Sequence, residues 1–212
     1  MVFDYKKAAE TQTRLSSRLI LDWDNRDIQY VAGADFSYDD QKRLIGVVIV
    51  VYKLPKLTLF EIIKEVGEVP IPYVPGFLNF REGPIFLKAF RKLGRVPDLT
   101  LIDGNGIAHP RKMGLASYVG VILDVSTVGC AKKPFFPYTT PGEERGQHTD
   151  FKDTKGEQVG YCLRTCTGIK PIFVSPGHRT DCAISKQVAL DLSQYRIPEP
   201  LRMAHHLATQ LF

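Results

Sequence analysis

The chain has 212 residues, 44% of them hydrophobic and 24% charged, with a formal net charge of +5. That length fits one domain with a substantial core, and the ordinary globular composition excludes a disordered or fibrous chain. The modest positive charge permits a polyanionic partner without requiring one.

Residues 5–21 carry Leu15, Leu19 and Ile20 at helical spacing among Lys, Arg and Glu, which predicts a helix laid over a sheet. After a polar break at 22–27, residues 28–38 read as a strand and 39–42 as a turn. Residues 44–54, with the run Val47-Val48-Ile49-Val50-Val51, read as a strand buried on both faces, and 57–66 as a third. Short connections make these three an antiparallel meander. Prolines at 70, 72 and 75 give an irregular loop. Residues 83–93 predict a helix with Pro84 in its first turn. Then follow a strand at 99–103, a helix at 113–123 and a strand at 126–131. A loop is expected over 132–155, strands at 159–165 and 172–174, and helices at 182–194 and 199–211. Strands alternating with helices imply parallel pairing. A meander followed by β-α units is the order of an RNase H-like mixed sheet flanked by helices. We read residues 1–212 as a single domain of that α/β class.

The four cysteines (Cys130, Cys162, Cys166 and Cys182) lack zinc-ligand spacing and read as reduced thiols. The N-terminus has acid and base where a signal peptide would be basic, and no long apolar run follows. A cytoplasmic protein with no membrane association is expected.

Three carboxylates stand out. Asp35 lies in the otherwise apolar stretch Val31-Ala32-Gly33-Ala34-Asp35-Phe36, where burial is costly unless a cation or partner compensates; the plainer reading is a strand-end Asp meeting water. Asp103 ends an apolar strand and leads into Gly104-Asn105-Gly106, a place where ligands gather or, equally, where an Asx turn forms. Glu82, before Gly83-Pro84, reads either as a third member of an acidic cluster or as a carboxylate near a helix N-terminus. Converging, the three repel one another unless a hard divalent cation neutralises them, and oxygen donors favour Mg²⁺ or Mn²⁺. Such a metal suits phosphodiester hydrolysis. Lys132 follows a strand and would reach a scissile phosphate, or form a solvated pair with Lys133. His109, Arg111, Lys112 and Lys133 fit backbone phosphate contacts. Tyr73 stands in a stiff Pro72–Pro75 loop, as a wedge into a base stack or as an aromatic packed over the loop.

The segments 31–36, Pro72-Tyr73-Val74-Pro75-Gly76-Phe77-Leu78-Asn79-Phe80-Arg81-Glu82, Asp103-Gly104-Asn105-Gly106-Ile107-Ala108-His109-Pro110-Arg111 and Gly129-Cys130-Ala131-Lys132-Lys133 resemble the endonuclease V family. So do Ser175-Pro176-Gly177-His178-Arg179 and residues 196–205. The resemblance spans essentially the whole chain. It implies an RNase H-like, Mg²⁺-dependent DNA repair endonuclease, with Mn²⁺ able to substitute. Its partner would be DNA containing deoxyinosine, cut at the second phosphodiester bond 3′ to the lesion to leave 3′-hydroxyl and 5′-phosphate ends. The alternatives are an endoribonuclease acting at inosine in RNA and a lesion-binding module that does not cut. By motif position Asp35, Glu82 and Asp103 would hold metal, Lys132 would stabilise the attacked phosphate, and His205 would lie near the metal. Tyr73 would fall in the strand-separating wedge, and Gly76, Leu78, Gly104 and Leu115 in the pocket for a flipped base. A monomer is expected. Two positions depart from the family pattern: Tyr118, where histidine is common, and Cys130, where valine is usual. Tyr118 is expected to touch pocket shape or strand contacts.

Overall fold

The computed structural model describes residues 3–212; Met1 and Val2, part of the N-terminal reading above, lie outside it. Eight strands form one mixed sheet in the order β3-β2-β1-β4-β5-β8-β7-β6. The meander is β1 (Tyr30–Asp39), β2 (Leu44–Lys53) and β3 (Thr58–Glu68), all antiparallel. β4 (Leu99–Asp103) lies parallel to β1, and β5 (Thr127–Ala131) parallel to β4.

The period of two in β2 explains its double burial. Val48 and Val50 join Val31, Leu99, Leu101, Leu201 and Ala204 on one face. Val47, Ile49 and Val51 join Ala34, Phe86, Phe90, Ile102 and Leu115 on the other. Helix α5 (Glu199–Ala208) covers the first face; α2 (Leu78–Phe90) and α3 (Leu115–Leu123) cover the second. This is the mixed, helix-flanked sheet expected from the sequence.

Four expectations need correction. Helix α1 (Tyr5–Ser16) stops five residues early and packs on α3 rather than on the sheet, through Leu15 against Met113 and Val121. The chain beyond it is held extended: the Ile20 N–H donates to His178 Nδ1, and the Arg179 N–H to the Ile20 carbonyl. Helix α2 begins at Leu78, with Pro84 inside it. Gly83-Pro84 resembled a helix start, yet the helix runs through it, so Glu82 sits in the second turn and not at the N-terminus. The stretch 132–155 is not all loop; it holds edge strand β6 (His148–Lys152), whose one fully buried residue, Phe151, gives little periodicity to read. Finally, β7 (Gln158–Leu163) and β8 (Ile172–His178) are antiparallel: β6 and β7 form a hairpin and β8 runs against β5. The connection from β5 carries strands, not a crossover helix, so parallel pairing is not imposed. Helix α4 (Cys182–Asp191) packs outside β7 and β8. Among the described residues no helix is long and apolar enough to cross a membrane.

Candidate active site

The acids meet because of register. Ala34 pairs with Ile102 across the parallel strands β1 and β4, so Asp35 and Asp103 stand side by side one residue on. Glu82 arrives from α2 in one layer and His205 from α5 in the other. His205 Nδ1 donates to Asp35 Oδ2 at 2.6 Å, and Asp35 Oδ1 accepts the Phe36 N–H at 2.8 Å. Lys132, just past β5, places Nζ 2.5 Å from Asp103 Oδ2. The structure therefore brings Asp35, Asp103, His205 and Lys132 together, with Glu82 near enough to feel the charge of both aspartates.

Burial dominates the electrostatics. It raises the Asp35 carboxyl to about 6, helped by the charge of Asp103. Burial raises Glu82 to about 8; the Tyr38 hydrogen bond opposes this, while Asp103 and Asp35 add to it. Tyr38 Oη donates to Glu82 Oε1 at 2.6 Å, and the Arg81 guanidinium lies 4.5 Å from the Tyr38 ring centre. Tyr38 was not singled out in the sequence; its only signal is its place three residues after Asp35 on the same strand. Glu82 Oε2 is buried with no partner. An orphaned carboxylate oxygen beside two more carboxylates is a donor set that a hard divalent cation satisfies. Among the described residues no three His, Cys, Asp or Glu side chains are already gathered to hold an ion, and it is Lys132 that sits on Asp103.

Beside the acids lies a cavity of about 240 Å³, lined by Tyr73, Leu78, Asn79, Asn105, Leu115 and Phe135 among others. Gly76 and Lys133 also line it; Gly104 does not, although its neighbour Asn105 does. Tyr73 is 64% exposed, as a wedge requires. Gly76, at φ +82°, turns its carbonyl inward, a conformation that glycine adopts without strain. Three donors meet that oxygen: Gln12 Nε2 at 2.9 Å, Arg111 Nη2 at 2.8 Å and His109 Nε2 at 3.1 Å. Gln12 was also missed, although Ala8, Gln12 and Leu15 share the buried stripe of α1, where a glutamine needs partners.

His109 and Arg111 are thus not placed as surface phosphate contacts. His109 is 4% exposed. Its Nδ1 accepts the Arg111 N–H, so Nε2 carries the proton and donates to Gly76. Burial, then the Arg111 charge, lowers its pKa from 6.5 to about 4. The native state therefore resists a proton that the unfolded chain accepts, and stability falls as pH drops from 6.5 towards 4. We expect roughly 3 kcal/mol of pH-dependent stability from this group. Urea unfolding across that range should show a shallower slope for His109→Gln; an unchanged slope would discount the buried neutral ring.

The two departures are packing features. Cys130 is buried in the core, where burial holds its thiol protonated. Tyr118 packs 5.7 Å from the Phe80 ring between α2 and α3 and does not itself line the cavity.

Carboxylates level on two parallel strands, a third acid from a covering helix and a lysine at the next strand end define a nuclease of the RNase H-like class. The match is specific. The endonuclease V family model covers residues 13–206. Endonuclease V of Dictyoglomus turgidum is 42% identical over 203 residues, covering 95% of this chain and 88% of its own. The crystal structure of endonuclease V from Streptomyces avermitilis superposes with a TM-score of 0.93 at 40% identity, covering 99% of this chain and 93% of that one. Endonuclease V of Ciona intestinalis, solved with a 23mer DNA containing an inosine followed by a ribo-adenosine, superposes at 0.88 with 25% identity, covering 99% and 98%. The chain belongs to the endonuclease V family.

Proposed function

We propose that this protein is a Mg²⁺-dependent DNA repair endonuclease. It takes a deaminated base, hypoxanthine in deoxyinosine, into the cavity and hydrolyses the second phosphodiester bond on the 3′ side. The observation that carries this is the adjacency of a base-sized cavity and three carboxylates, one with an orphaned oxygen. Asp35, Asp103 and Glu82 would hold the metal, and Mn²⁺ would substitute. When bound, the ion supplies Lewis-acid stabilisation of the phosphoryl oxygens and a more acidic water.

The chain's own residues do the rest. Lys132 Nζ, 2.5 Å from Asp103 Oδ2, stands where it can pair with the attacked phosphate. His205 commits Nδ1 to Asp35, which leaves Nε2 to take or pass a proton near the leaving 3′ oxygen. Leu78 and Asn79, whose N–H groups lie in the first turn of α2 where no intrahelical acceptor precedes them, line the cavity that a purine would fill. Lys133 at the cavity rim and Lys132 supply the phosphate contacts; His109 and Arg111 support the Gly76 turn from behind. Cavity, acids and cations all lie on one chain, which supports action as a monomer.

The test is nicking of an end-labelled duplex carrying one deoxyinosine, with Mg²⁺ and with chelator, beside an undamaged duplex and an inosine-containing RNA. A Mg²⁺-dependent cut at the second 3′ bond, leaving 3′-hydroxyl and 5′-phosphate ends, is expected. Cutting of the RNA alone would replace DNA repair by RNA processing. That second reading has one observation behind it, the ribo-adenosine following inosine in the Ciona complex. Tight binding without cutting of either would leave a lesion-binding module.

Tyr73→Ala gives a further check. An exposed tyrosine contributes little to the fold, so stability should stay within about 0.5 kcal/mol of wild type. Cutting of duplex deoxyinosine should fall about tenfold, with single strands less affected, since only a duplex needs the wedge. Equal loss on both strands would remove the wedge assignment.

A further inference from the structure

Two side chains in the cavity wall have a buried polar atom with no partner: Asn79 Nδ2 and Asn105 Oδ1. Asn79 is 1% exposed, so bulk solvent scarcely reaches it. The orientation of its amide is not arbitrary. Arg111 can only donate, and its Nε donates to Gln12 Oε1. Gln12 must then present Nε2 on its other side, where it donates to Gly76 O and, at 2.7 Å, to Asn79 Oδ1. Asn79 in turn must present Nδ2 away from Gln12. The reverse orientation at any step would set oxygen against oxygen or N–H against N–H. A one-way relay running from Arg111 through Gln12 thus leaves an unspent amide NH2 on a residue of the cavity wall.

We propose that Asn79 is a specificity-determining residue whose Nδ2–H reads the 6-oxygen of a flipped purine, and that Arg111 and Gln12 set its polarity. The inference rests on the base-pocket reading above. Hypoxanthine offers an acceptor at position 6, which satisfies the orphan donor. Adenine offers an amino group there, so two donors meet and a buried N–H stays unpaired, the costlier kind of mismatch. Deamination converts the second case into the first. The contact does not by itself separate hypoxanthine from guanine, which shares the 6-oxygen.

The experiment compares kcat/KM with Mg²⁺ for strands carrying deoxyinosine, deoxyadenosine or deoxynebularine, a purine with hydrogen at position 6. The ratio within one protein cancels changes in overall rate or folded fraction. Wild type should prefer deoxyinosine to deoxynebularine by about tenfold or more. Asn79→Asp puts an oxygen in place of Nδ2 and should bring that ratio close to one; Asn79→Ala serves if the aspartate does not fold. Gln12→Glu keeps the Arg111 contact but offers Asn79 an acceptor, which turns its amide over. The ratio should collapse there too, with Asn79 itself untouched, an effect that plain loss of packing does not produce. A wild-type ratio near one, or an unchanged ratio in the Asn79 variants, overturns the inference; an unchanged ratio in Gln12→Glu overturns the relay. Leu115→Trp, which fills the cavity, separates the two levels. If it retains the full preference for deoxyinosine over deoxyadenosine, or wild type has none, the base-pocket reading fails and Asn79's role with it. If it abolishes that preference while Asn79→Asp does not alter the deoxynebularine ratio, Asn79's role alone fails.

Discussion

An Asp35→Asn variant is expected to lose cutting at deoxyinosine by about a thousandfold while folding at least as well as wild type. The two halves of that expectation share a cause. Asp35 is a buried carboxyl crowded by Asp103, and burial is the largest influence on it. Asparagine keeps the shape and can still accept the Phe36 N–H, but it brings no charge into the cluster. Removing the charge relieves the free protein and disables the proposed metal site, the usual conflict between stability and activity. Thermal unfolding with chelator and with Mg²⁺ separates the effects. Wild type should gain stability with Mg²⁺, because an ion that binds only the native state raises its melting point. The variant should gain little or nothing. Undiminished cutting, or a wild-type Mg²⁺ response in the variant, would remove Asp35 from the metal site.

The second large effect is expected far from any charge. Gly33 lies on β1 where α5 crosses, and a Cβ there would sit 2.2 Å from Pro200 C, 2.4 Å from Pro200 O and 2.6 Å from Leu201 N. All three are backbone atoms of one helix, so no rotamer change makes room. Gly33→Ala must push α5 off the sheet, at a cost of about 3 kcal/mol or more. The same helix brings His205 to Asp35 one turn later. The folded remainder of the variant should therefore also cut more slowly, with His205 withdrawn. Gly67→Ala on β3 is the comparison: its Cβ would meet only the end of the Ile85 side chain, at 3.1 Å, and should cost far less. Denaturant titrations of the two variants decide the matter. A Gly33→Ala midpoint close to that of wild type would mean that the α5 contact is looser than its geometry.

The meander was legible because β2 is a run of β-branched residues bounded by turns, a pattern few other structures accommodate. The acids were legible because a carboxylate in an apolar strand, or at a strand end before glycines, is hard to explain by packing alone. The edge strand β6 was not, since an edge strand buries one residue in five here and has little pattern to show. The true start of α2 was hidden by Gly83-Pro84, which local rules take for a boundary and which helix packing against β2 and β3 overrides.

By itself the sequence determined the fold class and the family, and it singled out the three carboxylates, Lys132 and His205 as candidates. These depend on local residue chemistry and on motifs contiguous in the chain. Only the tertiary structure showed that His109 and Arg111 hydrogen-bond to the Gly76 carbonyl, that Tyr38 hydrogen-bonds to Glu82, and that Gln12 hydrogen-bonds to Asn79. Gln12 and Asn79 are 67 residues apart in the chain yet 2.7 Å apart in space. Hydrogen-bond direction is a property of pairs, and pairs so distant in sequence exist only after the chain has folded.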